Sequence, residues 1–221
     1  MQELDNILYS DEASFYLNGS INKQNNRRYA PLKKHDPVQG GRPANFVHEK
    51  PTYDPHIMVF CGLKRDGVFG LKIYHQGTMT GDRYHSLLQY TVLPDIRTWN
   101  GGNLDNLYWS QDGAPAHTTR RNLAYLHQNF GNRVISRGAI NGINWPARSP
   151  DLNPCDFFLW GFLKDRVYSP KPQNLLQLEQ NIRREVASIP APMATKVIRS
   201  MRTRAQLCLA SRGGYIEVYV T

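Results

Sequence analysis

The stretch YWSQDGAPAHTTR, residues 108–120, decides how this chain is read. It opens apolar and β-prone at Tyr108 and Trp109 and reaches an acid, Asp112. It then passes through Gly113-Ala-Pro-Ala into His117-Thr-Thr-Arg120 and an apolar-periodic segment. Asp-Gly alone is an ordinary turn pair. Followed by Ala-Pro-Ala-His-Thr-Thr, it instead describes a corner from a strand into a helix, with a carboxylate at the strand's end. In open α/β sheets, corners at the carboxyl ends of strands are where ligands sit.

Outward from this corner, residues 103–110 read as a short buried strand. Residues 118–129 read as a helix with Leu123 and Leu126 inward and Gly131 as its stop. Upstream, Tyr84, Leu87, Leu88, Val92 and Ile96 recur near helical spacing, so 80–96 is a helix. Residues 56–63 and 68–74 are strand-like around Asp66-Gly67, and runs 6–10 and 13–17 lead to Asn18-Gly19. Both pairs predict hairpin turns in one sheet, because both turn positions need φ > 0. Residues 33–55 are a polar, Gly- and Pro-rich loop. Downstream, 133–136 is a further strand, and Asp151 is expected to N-cap a helix running through Phe157 and Trp160 to about Val167. Leu175, Leu178, Ile182, Val186 and Ile189 mark an amphipathic helix; Met193, Val197, Met201 and Ala205 mark a last one. That order describes an α/β domain, a mixed β-sheet flanked by α-helices.

The 221 residues suffice for one sizeable domain, and 40% hydrophobic with 20% charged residues are globular values. Twenty-seven Lys and Arg against 18 Asp and Glu leave a net charge of +9, which favours a polyanionic partner, nucleic acid first. The three cysteines are an odd number without a CxxC pair, which argues against a disulfide framework and a structural zinc site and fits a reducing compartment. No apolar run is long enough to span a bilayer and no signal peptide opens the chain, so the sequence reads as soluble, intracellular and without a membrane partner.

Asp112 has two counterparts: Asp11 in LYSDEASFYLNG (8–19) and Asp156 in WPARSPDLNPCDFFLWGFLK (145–164). Each ends or follows an apolar stretch and so stands on a rigid element. Three carboxylates brought together make a cage of hard oxygen ligands suited to Mg²⁺ or Mn²⁺. Two such ions can activate a water and stabilise the leaving oxygen of a phosphodiester. Asp11 and Asp112 each alone also have a plainer reading as turn residues, and the stretch 145–154 before Asp156 as a structural loop that packs Trp145 onto the core. His117 is a metal ligand or phosphate contact on one reading, a capping or packing residue on the other. Arg120 and Arg121 after the corner, and Arg27, Arg28, Lys33 and Lys34 near the first hairpin, are either phosphate contacts or a solvated basic face. Phe157, Phe158, Leu159, Trp160 and Phe162 read as core rather than as a base-stacking surface.

The segments SDEASFYLNG, YWSQDGAPAHTTR and WPARSPDLNPCDFFLWGFLKDRVY resemble the catalytic domain of mariner-like transposases, in the DDE/DDD transposase and integrase superfamily. The resemblance runs across nearly the whole chain. It implies an RNase H-like fold, a catalytic and metal-binding triad of Asp11, Asp112 and Asp156, two Mg²⁺ (or Mn²⁺) ions, and cleavage and joining of DNA. Its implied partners are transposon ends and target DNA, with a homodimer among the assemblies it allows, and its implied location is the nucleus. The stretch 113–155 between the second and third acids is longer than is usual in the family. It matches a longer-spaced, all-Asp subgroup, with the extra residues expected around Gly138–Asn144. The family's N-terminal helix-turn-helix modules are expected to be absent, leaving one catalytic domain over 1–221 with C-terminal helices from about 174. A catalytically silent DNA-binding protein on the same fold and a ribonuclease H-type nuclease are the alternatives.

Overall fold

Alternation along the first strand sets the architecture. The computed structural model describes residues 2–19, 55–147, 149–213 and 216. After a short helix α1 (Gln2–Asp5), β1 (Ile7–Tyr16) runs through the centre of a five-stranded sheet. Successive strand side chains point to opposite faces. Accordingly Ile7, Tyr9 and Phe15 enter one apolar cluster, while Leu8 enters a second one across the sheet. β2 (His56–Lys64) repeats the pattern: Ile57, Val59, Cys61 and Leu63 join the first cluster and Phe60 the second.

β2 pairs antiparallel with β1, from Tyr16↔His56 to Tyr9↔Leu63, and β3 (Gly67–Tyr74) pairs antiparallel with β2. On the other side of β1, β4 (Tyr108–Ser110) and then β5 (Val134–Ile135) add in parallel. The order is β3-β2-β1-β4-β5, the mixed, helix-flanked sheet of the RNase H-like arrangement. The second cluster is covered by α2 (Gly81–Leu87) and α3 (Leu93–Trp99), joined by a π-helical turn at Leu88–Val92, and by α4 (Arg120–Phe130). The first is covered by a π-helical turn at Cys155–Leu159 running into α5 (Trp160–Val167), and by α6 (Leu175–Ala187) and α7 (Ala191–Ala210). Both faces are thus buried, as parallel pairing requires.

Several local expectations need correction. Runs 6–10 and 13–17 are one continuous strand, so Asp11 lies in mid-strand rather than at a strand's end. Tyr16–Gly19 does turn, with the Gly19 N–H on the Tyr16 carbonyl at 3.0 Å and Gly19 at φ 79°. Yet the strand that pairs with β1 starts only at His56, so Asn18-Gly19 does not close a tight hairpin. The β2–β3 hairpin is tight, but Lys64 pairs with Gly67, which centres the turn on Arg65-Asp66, one residue early. Neither central residue adopts a positive φ. The Lys64 ammonium bonds the Asp66 carboxylate across this turn. The strand before Asp112 is three residues long, not eight. Asp151 sits inside a 3₁₀ turn, Pro150–Leu152, and caps nothing; the Asn153 side chain accepts from the Cys155 N–H instead. Asn153 wins because it is two residues closer to the free N–H groups of that helix. Arg27, Arg28, Lys33 and Lys34 lie outside the described residues.

Candidate active site

Three structural facts bring the acids to one place. Alternation puts Asp11 on the face of Tyr9 and Phe15, beneath the Cys155–Leu159 turn. The parallel register Tyr9↔Ser110, carried two residues further, sets Asp112 beside Asp11. The Cys155 thiol packs against the carbonyls of Tyr9 and Cys61, at 3.8 and 3.9 Å, which seats the next residue, Asp156, over the same strand. Asp11 and Asp156 come close enough for the charge of Asp156 to act on the Asp11 carboxyl.

Each carboxylate has one oxygen held by a fixed donor. The Trp160 indole N–H bonds Asp11 Oδ2 at 2.8 Å. The Asn153 amide bonds Asp156 Oδ2 at 3.2 Å. Asp112 Oδ1 accepts from the Ala114 N–H at 2.9 Å and meets His117 Nδ1 at 2.7 Å. His117 Nε2 in turn meets the Glu12 carboxylate, at 3.0 Å from Oε2 and 3.1 Å from Oε1. Glu12 follows Asp11 directly and therefore points to the opposite face of the sheet, where His117 rests on the Tyr84 ring at a centroid distance of 4.3 Å.

The electrostatics follow from this layout. Burial, then the charges of Asp156 and Glu12, hold the Asp11 carboxyl well above the usual range, against the opposing Trp160 hydrogen bond. Burial and the Asp112 charge push Asp156 up to about 6. Burial alone would raise Asp112 too, but the hydrogen bond and charge of His117 bring it below the ordinary carboxylate value. Burial would lower His117, yet Glu12 and Asp112 together push it up to about 10, so both ring nitrogens donate at neutral pH. Burial lowers Lys164, with Asp156 and Asp11 pulling it back up. Lys164 stands two helical turns beyond Asp156, on the same side as Trp160.

The corner itself is rigid. The buried Gln111 side chain accepts from Tyr84 Oη at 2.6 Å and Trp109 Nε1 at 2.9 Å, and it donates to the His117 carbonyl at 3.2 Å and Ser136 Oγ at 2.9 Å. A fully satisfied buried network of this kind fixes backbone geometry. The Asn122 amide ties the Ala116 and Gly81 carbonyls together, at 2.8 and 2.9 Å, which locks the corner to α2.

Among the described residues, no three His, Cys, Asp or Glu side chains already stand around one point as a coordination cage. The acids converge, but one oxygen of each accepts from a neighbouring donor. Of the residues singled out as phosphate contacts, Arg120 is exposed and Arg121 pairs with Asp82 at 3.1 Å on the surface. His117 is buried, with both ring nitrogens taken by Asp112 and Glu12. Glu12, Asn153, Trp160 and Lys164 were not singled out for the site. Period-2 alternation could have separated Glu12 from Asp11. The spacing 156, 160, 164 could have placed Trp160 and Lys164 beside the third acid.

No protein-family model matches the chain. It is 26% identical over 218 residues to the Tcb1 transposase of Caenorhabditis briggsae, covering 96% of this chain and 70% of that protein. It is 32% identical over 141 residues to the Tc3 transposase of Caenorhabditis elegans, covering 63% of this chain and 39% of that one. Its fold matches the Mos1 transposase catalytic domain, solved with raltegravir and Mn, at TM-score 0.67 and 18% identity over 97% of this chain and 86% of that one. The Mos1 mariner paired-end complex with Mn matches at TM-score 0.71 and 20% identity. The chain spans 57% of the Mos1 protein in that complex.

Proposed function

We propose that this chain is a mariner-like transposase catalytic domain that cuts and joins DNA using two divalent ions held by Asp11, Asp112 and Asp156, a reading its transposase relatives and its RNase H-like fold support. One observation carries the proposal. Two carboxyls, Asp11 and Asp156, stand together in a buried site, held by Trp160 at 2.8 Å and Asn153 at 3.2 Å, and both are pushed up, with Asp112 alongside. Such a donor set is hard, anionic and short of positive charge, which fits Mg²⁺ or Mn²⁺. When bound, two such ions supply an activated attacking oxygen and stabilisation of the leaving one. The Mn-containing Mos1 structures support the choice of ion.

The chain's own residues then have definite tasks. Asp11, central on β1, is placed to face both other acids and would hold both ions. Asp112 and Asp156 would each hold one. Trp160, Asn153 and His117 keep one oxygen of each acid fixed, so that the other is free to turn to the site. Asp112, whose side chain is 43% exposed, lies on the open side, where a DNA strand would enter. Transposon ends and target DNA are the partners on this reading, in the nucleus, with a homodimer as the assembly it allows; the Mos1 complex with its left transposon end supports DNA as the partner.

The test is nicking of supercoiled plasmid by the purified chain with Mg²⁺ or Mn²⁺, beside Asp156→Asn. Metal-dependent nicking by the wild type alone is the expected result. DNA binding without nicking would support the catalytically silent alternative. Preferential cutting of RNA–DNA hybrids would support the ribonuclease H alternative.

A further inference from the structure

We propose that Glu12 and His117 are positioning residues for Asp112: Glu12 holds the imidazole, and the imidazole sets the direction of the Asp112 carboxylate. The proposal rests on the reading of Asp112 as a metal ligand. Asp112 is the most open of the three acids and, among the described residues, has two holders, the Ala114 N–H and His117 Nδ1, both on Oδ1. Without them its carboxylate would rotate freely at the start of a loop. His117, by contrast, is fixed from every side. Its side chain is 3% exposed, its ring lies on Tyr84 at an interplanar angle of 36°, its carbonyl takes the Gln111 amide, and its N–H bonds the Ala114 carbonyl at 3.0 Å.

Strand alternation turns the Glu12 side chain to the face opposite Asp11, so it reaches the acids only through its charge and through His117. Its side chain is only 13% exposed, and both its oxygens close on His117 Nε2. A buried carboxylate spent on one imidazole nitrogen fixes which way the other nitrogen points. The chain Glu12–His117–Asp112 therefore crosses from one face of the sheet to the other and ends on the held oxygen of a carboxylate whose second oxygen is left for the site. Partners of this kind, one step behind a metal ligand, typically alter metal affinity about 10- to 100-fold when removed.

The test is Mn²⁺ titration of the full chain by calorimetry, with metal-free thermal melts as the folding control. Glu12→Met keeps the length and loses the acceptor, and should weaken Mn²⁺ binding about 10- to 100-fold. Glu12→Gln keeps an acceptor and should stay within a few-fold of wild type. His117→Asn places an amide nitrogen where Nδ1 stands and should bind Mn²⁺ better than His117→Gln, which reaches toward Glu12 instead. If Glu12→Met does not fold, the two His117 variants decide. Wild-type affinity in Glu12→Met, or equal losses in His117→Asn and His117→Gln, would overturn the proposal, the second by reducing His117 to packing. Asp112→Asn separates the two levels. If it alone loses Mn²⁺, the ligand reading stands and the positioning chain fails. If it binds Mn²⁺ like wild type, the ligand reading itself fails.

Discussion

Asp156 and His117 make the site's charge visible to a pH titration of the metal-free protein. Asp156 rises from 3.8 to about 6 on folding, so the native state binds more protons than the unfolded one in that window. Stability should therefore fall as pH rises from about 4 to 6. Asp156→Asn should remove the Asp156 share of this fall, leaving that of the buried Asp11 carboxyl, and leave the metal-free protein more stable at pH 7 by on the order of 3 kcal/mol, since the rise is about two pKa units and one unit is about 1.4 kcal/mol. His117 is also raised, from 6.5 to about 10, so its contribution is complete below pH 6.5 and is lost as pH climbs through 10. Urea melts across pH, for wild type and Asp156→Asn, check both windows; a flat wild-type profile between pH 4 and 6 would mean that the carboxyls are not crowded. Trp160→Phe probes the same cluster from the other side. It keeps an aromatic ring against Phe15, now in edge contact at 6.2 Å, and deletes only the N–H on Asp11. Mn²⁺ affinity at pH 7 should drop roughly tenfold, and calorimetry would show it. At this scale the three acids were legible because each stands in a distinctive local context. The residues that hold them were not, because hydrogen bonds such as Trp160 to Asp11 join positions far apart in the chain.

Elements with strong periodicity were read nearly to their ends. The helix 118–129 is α4, with Thr119 accepting from the Asn122 N–H and Gly131 at φ 58° as its stop. The expected 80–96 helix was found as a longer helical run with a π-helical turn in its middle, which apolar spacing alone does not show. What failed was turn chemistry. Asn18-Gly19 is a strong local signal, but β1 needs an antiparallel partner of nearly its own length, and His56–Lys64 supplies it. Tertiary pairing outweighed a local preference. The short β4 escaped for a related reason: Leu104 and Leu107 are buried, so residues 103–107 look strand-like without pairing. Gly62 gives a prediction at this scale. It sits where the β2–β3 register shifts, and the Phe69 ring occupies the space a Cβ would need. Gly62→Ala should force that ring aside and cost about 1–3 kcal/mol. Double replacement with Phe69→Leu should recover part of the loss. Urea denaturation measures both, and an unchanged midpoint in Gly62→Ala would show that the bulge gives way easily.

The whole molecule carries a net charge of +9 while its centre holds a cluster of carboxylates. On the proposed function, DNA is held by surface cations around an acidic site. Arg120 and Arg121, at the start of α4 just beyond the Asp112 corner, are the described cations that the sequence ties most directly to that site. The Arg121–Asp82 pair does not withdraw Arg121 from this role. Both side chains are open, at 63% and 90% exposed, and such pairs contribute about 0–1 kcal/mol. Binding of the chain to duplex DNA should then be weak, nearly indifferent to sequence and steeply salt-dependent, with log K falling by about 0.9 per log salt for each phosphate neutralised. Arg120→Ala and Arg121→Ala should each reduce that slope by about one and weaken binding uniformly across sequences. Mn²⁺ affinity should not change, because neither side chain touches the acids. Fluorescence anisotropy over a salt series, on two unrelated duplexes, measures slope and sequence preference together. Slopes left at the wild-type value in both variants would move the DNA path away from α4. A tight, salt-insensitive preference for one duplex would mean that base edges, rather than phosphates, are being read by a surface other than this one.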